Sequence, residues 1–295
     1  MKIKGFLIIF MALICIAFAS CGEKEEKVVD NGQIFRLSEY RASDGNLYLF
    51  YQKDSIMLTC PLPGYEEYDA WKKMNSFVIS ERVEINGTIY PVTRIEDGTF
   101  YGCTNLRSIT IPEGVKTIGS EVFINCSSLT SIVLPGSLEK LGRHSFVGCS
   151  GLTSLTVLSR NLKVIYGVFY GLDNITSLTL CCHEIGHSTF SDYTELTEVI
   201  LKDGVEVIGS IAFQGCKKLT LVDLPSSIKT INPQAFQLCP MLTDVYCRTS
   251  EMLDITEDVF DWNLSDNLTL HVPSALLNAY KAHKAWGRFH RIVAI

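Results

Sequence analysis

The sequence predicts a β-rich (α+β) solenoid: a right-handed stack of units about 23 residues long, closed by a β-rich N-terminal cap and a strand-helix C-terminal cap. Three observations carry this. Phenylalanine recurs at Phe100, Phe123, Phe146, Phe169, Phe190, Phe213 and Phe236, with gaps of 23, 23, 23, 21, 23 and 23 residues. Around each Phe a common pattern returns, read in one unit as Ile118-Gly119, Phe123, Cys126, Leu129, Ile132 and Leu134-Pro135. Five cysteines, Cys103, Cys126, Cys149, Cys216 and Cys239, each stand three residues after a Phe. A period in the twenties means stacked units, each burying its apolar face against its neighbours.

Each part of the unit has a physical reading. Leu129, Ile132 and Leu134 point inward, the last two at the period of two that a strand imposes. Pro135 ends the strand, because proline has no N–H with which to continue a ladder. Gly119 reads as a sharp turn. Phe123 then plugs the interior from a short helical turn. Equivalent positions stack about 4.7–4.9 Å apart, which turns the five cysteines into a column. Leu172 and Tyr193 take the column position in two units without breaking phase. A column that accepts leucine is packing, since free cysteine behaves as a small buried apolar group. Cys60, Cys181, Cys182 and Cys247 lie outside it, where disulfides stay open. The unit ending at Phe190 is two residues short, so a local kink is expected there.

The organisation follows in order. Residues 1–20 read as a signal peptide: Lys2 and Lys4 precede an apolar run over 6–18, too short to span a bilayer. Phe18-Ala19-Ser20-Cys21 resembles a bacterial lipobox, in which Cys21 is lipidated. Its cleavage would take the net charge from −6 to −8. Residues 21–33 form a charged tether. Residues 34–91 form the β-rich N-terminal cap, with Asn86-Gly87 between alternating runs as a hairpin signal. Residues 92–249 are the seven-unit array. Residues 250–295 are the C-terminal cap, with a strand at 269–273, a short helix at 274–282 that starts on Ser274, and Trp286, Phe289 and Ile292 closing the end.

The phased copies, Ile118-Gly119 to Leu134-Pro135 and again Ile208-Gly209, Ala212-Phe213, Cys216, Leu219, Val222 and Leu224-Pro225, resemble the BspA-like leucine-rich repeats of bacterial surface proteins. The charged tract after Cys21 is similar to an export signal of Bacteroides-group lipoproteins. Together these imply a non-enzymatic adhesion lipoprotein of the outer membrane, exposed at the cell surface and presenting its repeats to protein partners, host matrix among them. An envelope scaffold or a glycan-binding accessory lipoprotein is the alternative. Membrane contact would run through the N-terminal lipid only. Net charge −6 argues against nucleic acid as the partner.

Two places bear on chemistry. His183-Glu184-Ile185-Gly186-His187 matches H-E-x-x-H, the pattern by which a helix sets two zinc ligands at i and i+4 with a general base beside them. Here Ile185-Gly186 falls in phase with Ile118-Gly119, which calls for a short extended run and a turn. A zinc metallohydrolase therefore stands as the remote alternative, and neither a catalytic nor a metal site is assigned. No phosphate loop or dinucleotide fingerprint is present, so no cofactor is expected. The second place is the outward row of the repeat strands. The first four units offer Ser108, Ser131, Ser154 and Ser177 with Thr110, Val133, Thr156 and Thr179. The last three offer Glu198, Ile200, Leu221, Asp223, Asp244 and Tyr246. Apolar residues ringed by charge suit a contact surface, and these six form the candidate binding face.

Overall fold

The computed structural model describes residues 26–30, 33–37, 39–41, 46–52, 55–60, 66–162, 168–169, 171–261 and 268–295. The lipobox and Cys21 lie outside the described residues. Among those residues no helix is long and apolar enough to cross a membrane.

The chain is a parallel β-solenoid. Each turn places one strand in a long sheet, at Ser131–Leu134, Ser154–Val157, Ser177–Leu180, Glu198–Leu201, Leu221–Leu224, Asp244–Cys247, Thr269–Val272 and Arg291–Ala294. Every neighbouring pair is parallel and in register, for instance Leu178 beside Val199 and Val222 beside Val245. Alternation is strict: Ile132 and Leu134 are buried while Ser131 and Val133 are exposed. The sheet's line begins before the array. Ser76–Val78 pairs in parallel with Ser108–Thr110, and the Thr130 N–H donates to the Arg107 carbonyl across the next rung. The alternating run before Asn86-Gly87 is thus split between two sheets. Its second half, Arg82–Ile85, forms a hairpin with Thr88–Ile95. Asn86 and Gly87 supply that turn with φ of 51° and 77°, as a two-residue hairpin requires.

The second strand of each unit builds the opposite side. Thr117–Ile118 lies between Thr88–Ile95 and Lys140–Leu141, and Val207–Ile208 between Glu184–Ile185 and Thr230–Ile231. Across the short unit the long sheet keeps its register, with Ser177 beside Glu198 and Leu180 beside Leu201. Three residues separate Leu180 from Glu184 where five separate Leu224 from Thr230, so the deletion is absorbed in the turn between strands.

Between these strands the phenylalanines stack into one column. Successive centroids from Phe100 to Phe260 are 5.6, 5.6, 6.1, 5.6, 5.5, 5.4 and 5.5 Å apart. Interplanar angles run from 2° to 29°. All eight rings are essentially fully buried. A 5.5 Å centroid separation on a shorter rung is offset stacking, the favoured aromatic geometry, worth about 0.5–1.5 kcal/mol per pair beyond burial. Tryptophans meet both ends of the column. Trp71, on the helix Glu66–Lys73, stacks on Phe100 at 5.2 Å and 17°. Trp286 lies 5.7 Å from Phe260. Each buried indole N–H donates to a backbone carbonyl, that of Thr99 at 2.9 Å and that of Leu253 at 2.7 Å. The helix carrying Trp71 was not expected from the sequence. At the other end Ser274 makes no side-chain cap; the segment opens as a 3-10 turn at Ser274–Leu276 before the helix Leu277–Ala282.

The cysteine column packs as expected and also bonds. Four of the five thiols donate to the carbonyl of the Phe one unit earlier, Cys126 to Phe100 at 3.2 Å, Cys149 to Phe123 at 3.0 Å, Cys216 to Phe190 at 3.4 Å and Cys239 to Phe213 at 3.2 Å, while Cys103 donates to the Trp71 carbonyl at 3.8 Å. Tyr193 reaches the equivalent Phe169 carbonyl with its hydroxyl, at 2.6 Å. Burial pushes the Cys103 thiol up to about 11 and the Cys149 thiol up to about 12. These thiols stay protonated and are poor nucleophiles. Cys60, Cys181, Cys182 and Cys247 are free thiols as well. A threonine column does similar work beside the sheet. The hydroxyls of Thr130, Thr153, Thr176, Thr197 and Thr220 each donate to the backbone of the preceding unit.

The turns hold two findings. Gly119 does not have the left-handed backbone of a sharp turn. It is needed because a Cβ there would sit 2.2 Å from the Asp97 carboxylate oxygen and 2.6 Å from the Asp97 nitrogen. At Gly142 a Cβ would lie 2.3 Å from the Gly119 carbonyl carbon. Left-handed residues instead flank Phe100, Phe123, Phe146, Phe190, Phe213 and Phe236, two before and two after. Gly98 and Gly102 hold these places around Phe100, while Ile211 and Gly215 hold them around Phe213. The Phe therefore enters the core from a double left-handed turn rather than a helical one. Around Phe236 the places fall to Gln234 and Leu238, with φ of 64° and 57°.

Two outcomes are expected. Phe213→Ala, which opens a gap between two stacked neighbours, costs about 3–5 kcal/mol in equilibrium denaturation. Leu238 is half exposed and left-handed, so Leu238→Gly raises stability by about 1 kcal/mol as the strain is relieved. A thermal or urea melt reads both, and Leu238→Val falls on the other side of wild type.

Candidate binding face

The outward side chains of the long sheet stand in two rows set by register. One row runs Ser177, Glu198, Leu221, Asp244, Thr269 and Arg291; the other runs Thr179, Ile200, Asp223, Tyr246, His271 and Val293. The structure thus brings all six predicted residues, Glu198, Ile200, Leu221, Asp223, Asp244 and Tyr246, onto three adjacent rungs of one face. Glu198 is exposed and the other five are half-buried. Over these rungs acid and apolar positions alternate in both directions. The Ser and Thr of the earlier units lie on the same face.

Two residues outside the predicted set organise this patch. Arg248 grips Asp223 with both arms of its guanidinium, Nε to Oδ1 at 2.7 Å and a terminal nitrogen to Oδ2 at 3.0 Å. Its guanidinium carbon also stands 5.4 Å from the Tyr246 ring centroid. His271 stacks on Tyr246 from the next rung, at 4.1 Å and 6°. The His271 Nε2 lies 2.7 Å from an oxygen of Asp244, whose other oxygen accepts the Thr243 hydroxyl at 2.9 Å. Asp223, Arg248, Tyr246, His271 and Asp244 are therefore one continuous chain of contacts. Its electrostatics are self-consistent. The hydrogen bond from His271 holds the Asp244 carboxyl below its ordinary value, and the bond to Asp223 raises Arg248 above its own.

A bidentate guanidinium and a stacked imidazole fix the rotamer of Tyr246 before anything binds. Arg and Tyr are the residue types that dominate binding energy at interfaces. Ordering them in advance removes part of the entropy cost of association. Glu198 differs from its neighbours: among the described residues its carboxylate meets only the Ser177 hydroxyl, at 3.4 Å. A shallow open depression borders the patch, lined by Leu201, Lys202, Asp203, Asp223, Pro225, Ser226 and Arg248. Both missed residues had a signal in the sequence. His271 falls 25 residues after Tyr246, on the strand already assigned to the cap, and continues the row by one rung. Arg248 lies just beyond its strand, where alternation no longer tells which way a side chain points.

The H-E-x-x-H stretch does not form the helical arrangement its chemistry needs. Glu184–Ile185 is a two-residue strand, Ile185 is buried in the core, and Ser188 turns the chain with φ of 54°. His183 and His187 are exposed at opposite ends of this extended run and turn. His183 lies 3.9 Å from Glu206, which also pairs with Lys229 at 2.5 Å, in a ladder of surface charges. Among the described residues no group of three His, Cys, Asp or Glu is placed to hold a metal ion.

Comparison with known proteins bears on the repeats. A search of curated proteins gives no match. A solved leucine-rich repeat protein from Eubacterium ventriosum has the same fold, at 23% identity and a TM-score of 0.53, over 79% of this chain and 54% of that one. A leucine rich cell surface protein from Faecalibacterium prausnitzii aligns over 92% of this chain and 95% of its own, at 18% identity and a TM-score of 0.37. The family model of the BspA type leucine rich repeat region matches in six copies, over residues 75–192 and 168–276. With the register, the phenylalanine column and this match together, the chain belongs to the BspA type leucine rich repeat family.

Proposed function

We propose that this protein is a non-enzymatic binding protein displayed at the cell surface, which captures protein partners through the C-terminal half of its repeat sheet. The observation that carries the reading is the chain Asp223–Arg248–Tyr246–His271–Asp244 on an outward face. A solvated sheet has no need of a rigid aromatic stack, and the neighbouring Ser and Thr rungs do without one. Adhesion to other cells or to a host matrix is the role that such a face serves. The anchor in this reading is a lipid on Cys21, supported by the lipobox pattern and by the charged tether that follows it, with the outer membrane as the site.

Two experiments test the halves separately. The combined variant Glu198→Ala, Asp223→Ala, Tyr246→Ala is expected to keep its circular dichroism and melting midpoint while its capture on immobilised matrix proteins falls about tenfold or more; unchanged capture removes this face from consideration. For the anchor, a cell-fed alkyne fatty acid should label the wild type and leave Cys21→Ala unlabelled and released from membranes. Added protease should digest the protein on intact cells, and resistance there would place it inside the envelope.

A further inference from the structure

The alternation of charge and apolar side chains on this face carries information about the shape of its partner. Glu198 and Ile200 share one rung, Leu221 and Asp223 the next, Asp244 and Tyr246 the third. The pattern is a checkerboard, so a partner crossing the rungs in line meets acid and apolar sites by turns. The rungs are about 4.7–4.9 Å apart. An extended partner laid along the stack presents same-side residues every ~6.6–6.8 Å, and it slips by about 2 Å at each rung. An α-helix presents same-side residues at i, i+3 and i+4, an advance of ~4.5–6 Å, which keeps step with the rungs.

The charges fix the partner's sign. Asp223 already has Arg248, and Asp244 already has His271. Glu198 is the carboxylate of the patch that no cation reaches among the described residues, and it lies directly across from Leu221 and on the same rung as Ile200. A cation set there completes an ion pair, while apolar side chains from the same helix face cover Ile200 and Leu221. We propose that the face takes a basic amphipathic helix lying along the solenoid axis, with a Lys or Arg on Glu198 and apolar residues on Ile200, Leu221 and Tyr246. Three rung steps from Glu198 to Thr269 span ~14 Å, about ten helical residues. This rests on the reading of the face as a protein-binding surface and adds the chemistry of what it binds.

The test uses the full chain and a fluorescent Leu/Lys peptide of about 14 residues, long enough to cover the span as a helix. Comparison peptides carry the same composition with helix-breaking prolines, or Glu in place of Lys. Anisotropy should show binding of the Leu/Lys helix alone, weakened at high salt. Glu198→Lys should lower the affinity about tenfold, while Glu206→Lys, on the other side of the solenoid, changes it less than about twofold. An equal loss with Glu206→Lys reduces the effect to general attraction between a basic peptide and an acidic protein, and overturns the proposal. Equal binding of the proline or the Glu peptide overturns it too, as does no binding at all. If the Leu/Lys helix fails while the triple face variant still loses its captured protein, the face stands and its partner has other chemistry. If the triple variant is also without effect, the face itself falls.

Discussion

Ring-on-ring stacking at the spacing of a parallel backbone ladder is the constraint from which the rest of this structure follows. Backbone pairing sets the rung, and the eight phenylalanines from Phe100 to Phe260 meet it with centroids 5.4 to 6.1 Å apart. Holding the rungs that close dictates the other columns. Gly142 abuts the backbone of Gly119 with no room for a Cβ. The Phe100, Phe123 and Phe213 carbonyls each accept the N–H three residues on and, from the next unit, the thiol of Cys126, Cys149 or Cys239. The price of the arrangement is a double left-handed turn around six of the rings, which falls even on Ile211, a β-branched residue poorly suited to it.

A core assembled from columns leaves the outward rows free to vary. Val199, Val222 and Val245 are fully buried in the middle of their strands, while the side chains on either side of them change from unit to unit. The family can therefore place a new surface on an unchanged interior. In this chain the change is concentrated between Glu198 and His271, and the side chains from Asp223 to His271 hold one another in place. The two-residue deletion before Phe190 shows the same separation from the other side. It shortens a turn and leaves the register of Ser177 with Glu198 intact, so the face continues across it.

The columns were legible in the sequence because each repeats a residue type at a fixed period. Period gives no direction, however. It showed that Cys126 is interior but not that its thiol points back to the Phe100 carbonyl. It showed that Gly119 matters but not that the reason is the approach of Asp97. The left-handed pairs were hidden because Glu121, His144 and Gln234 occupy places that glycine would have marked. The six face residues followed from strand alternation. Arg248 did not, since it lies past the strand end, and the helix bearing Trp71 did not, since one indole on eight residues has no period to betray it. The H-E-x-x-H was read correctly as in phase with the repeat, because its Ile185 and Phe190 keep the spacing that Ile118 and Phe123 have.

The central claim is that neighbouring rings are coupled through direct stacking and distant ones are not. A double-mutant cycle tests it, with Phe→Leu chosen so that each variant stays folded. Phe190→Leu with Phe213→Leu, adjacent at 5.5 Å, should show a coupling of about 0.5–1.5 kcal/mol in equilibrium unfolding. Phe123→Leu with Phe213→Leu, separated by three intervening rings, should add to within about 0.5 kcal/mol. Additivity in the adjacent pair, or equal coupling in both, would contradict the stacked column as the interaction on which the solenoid depends.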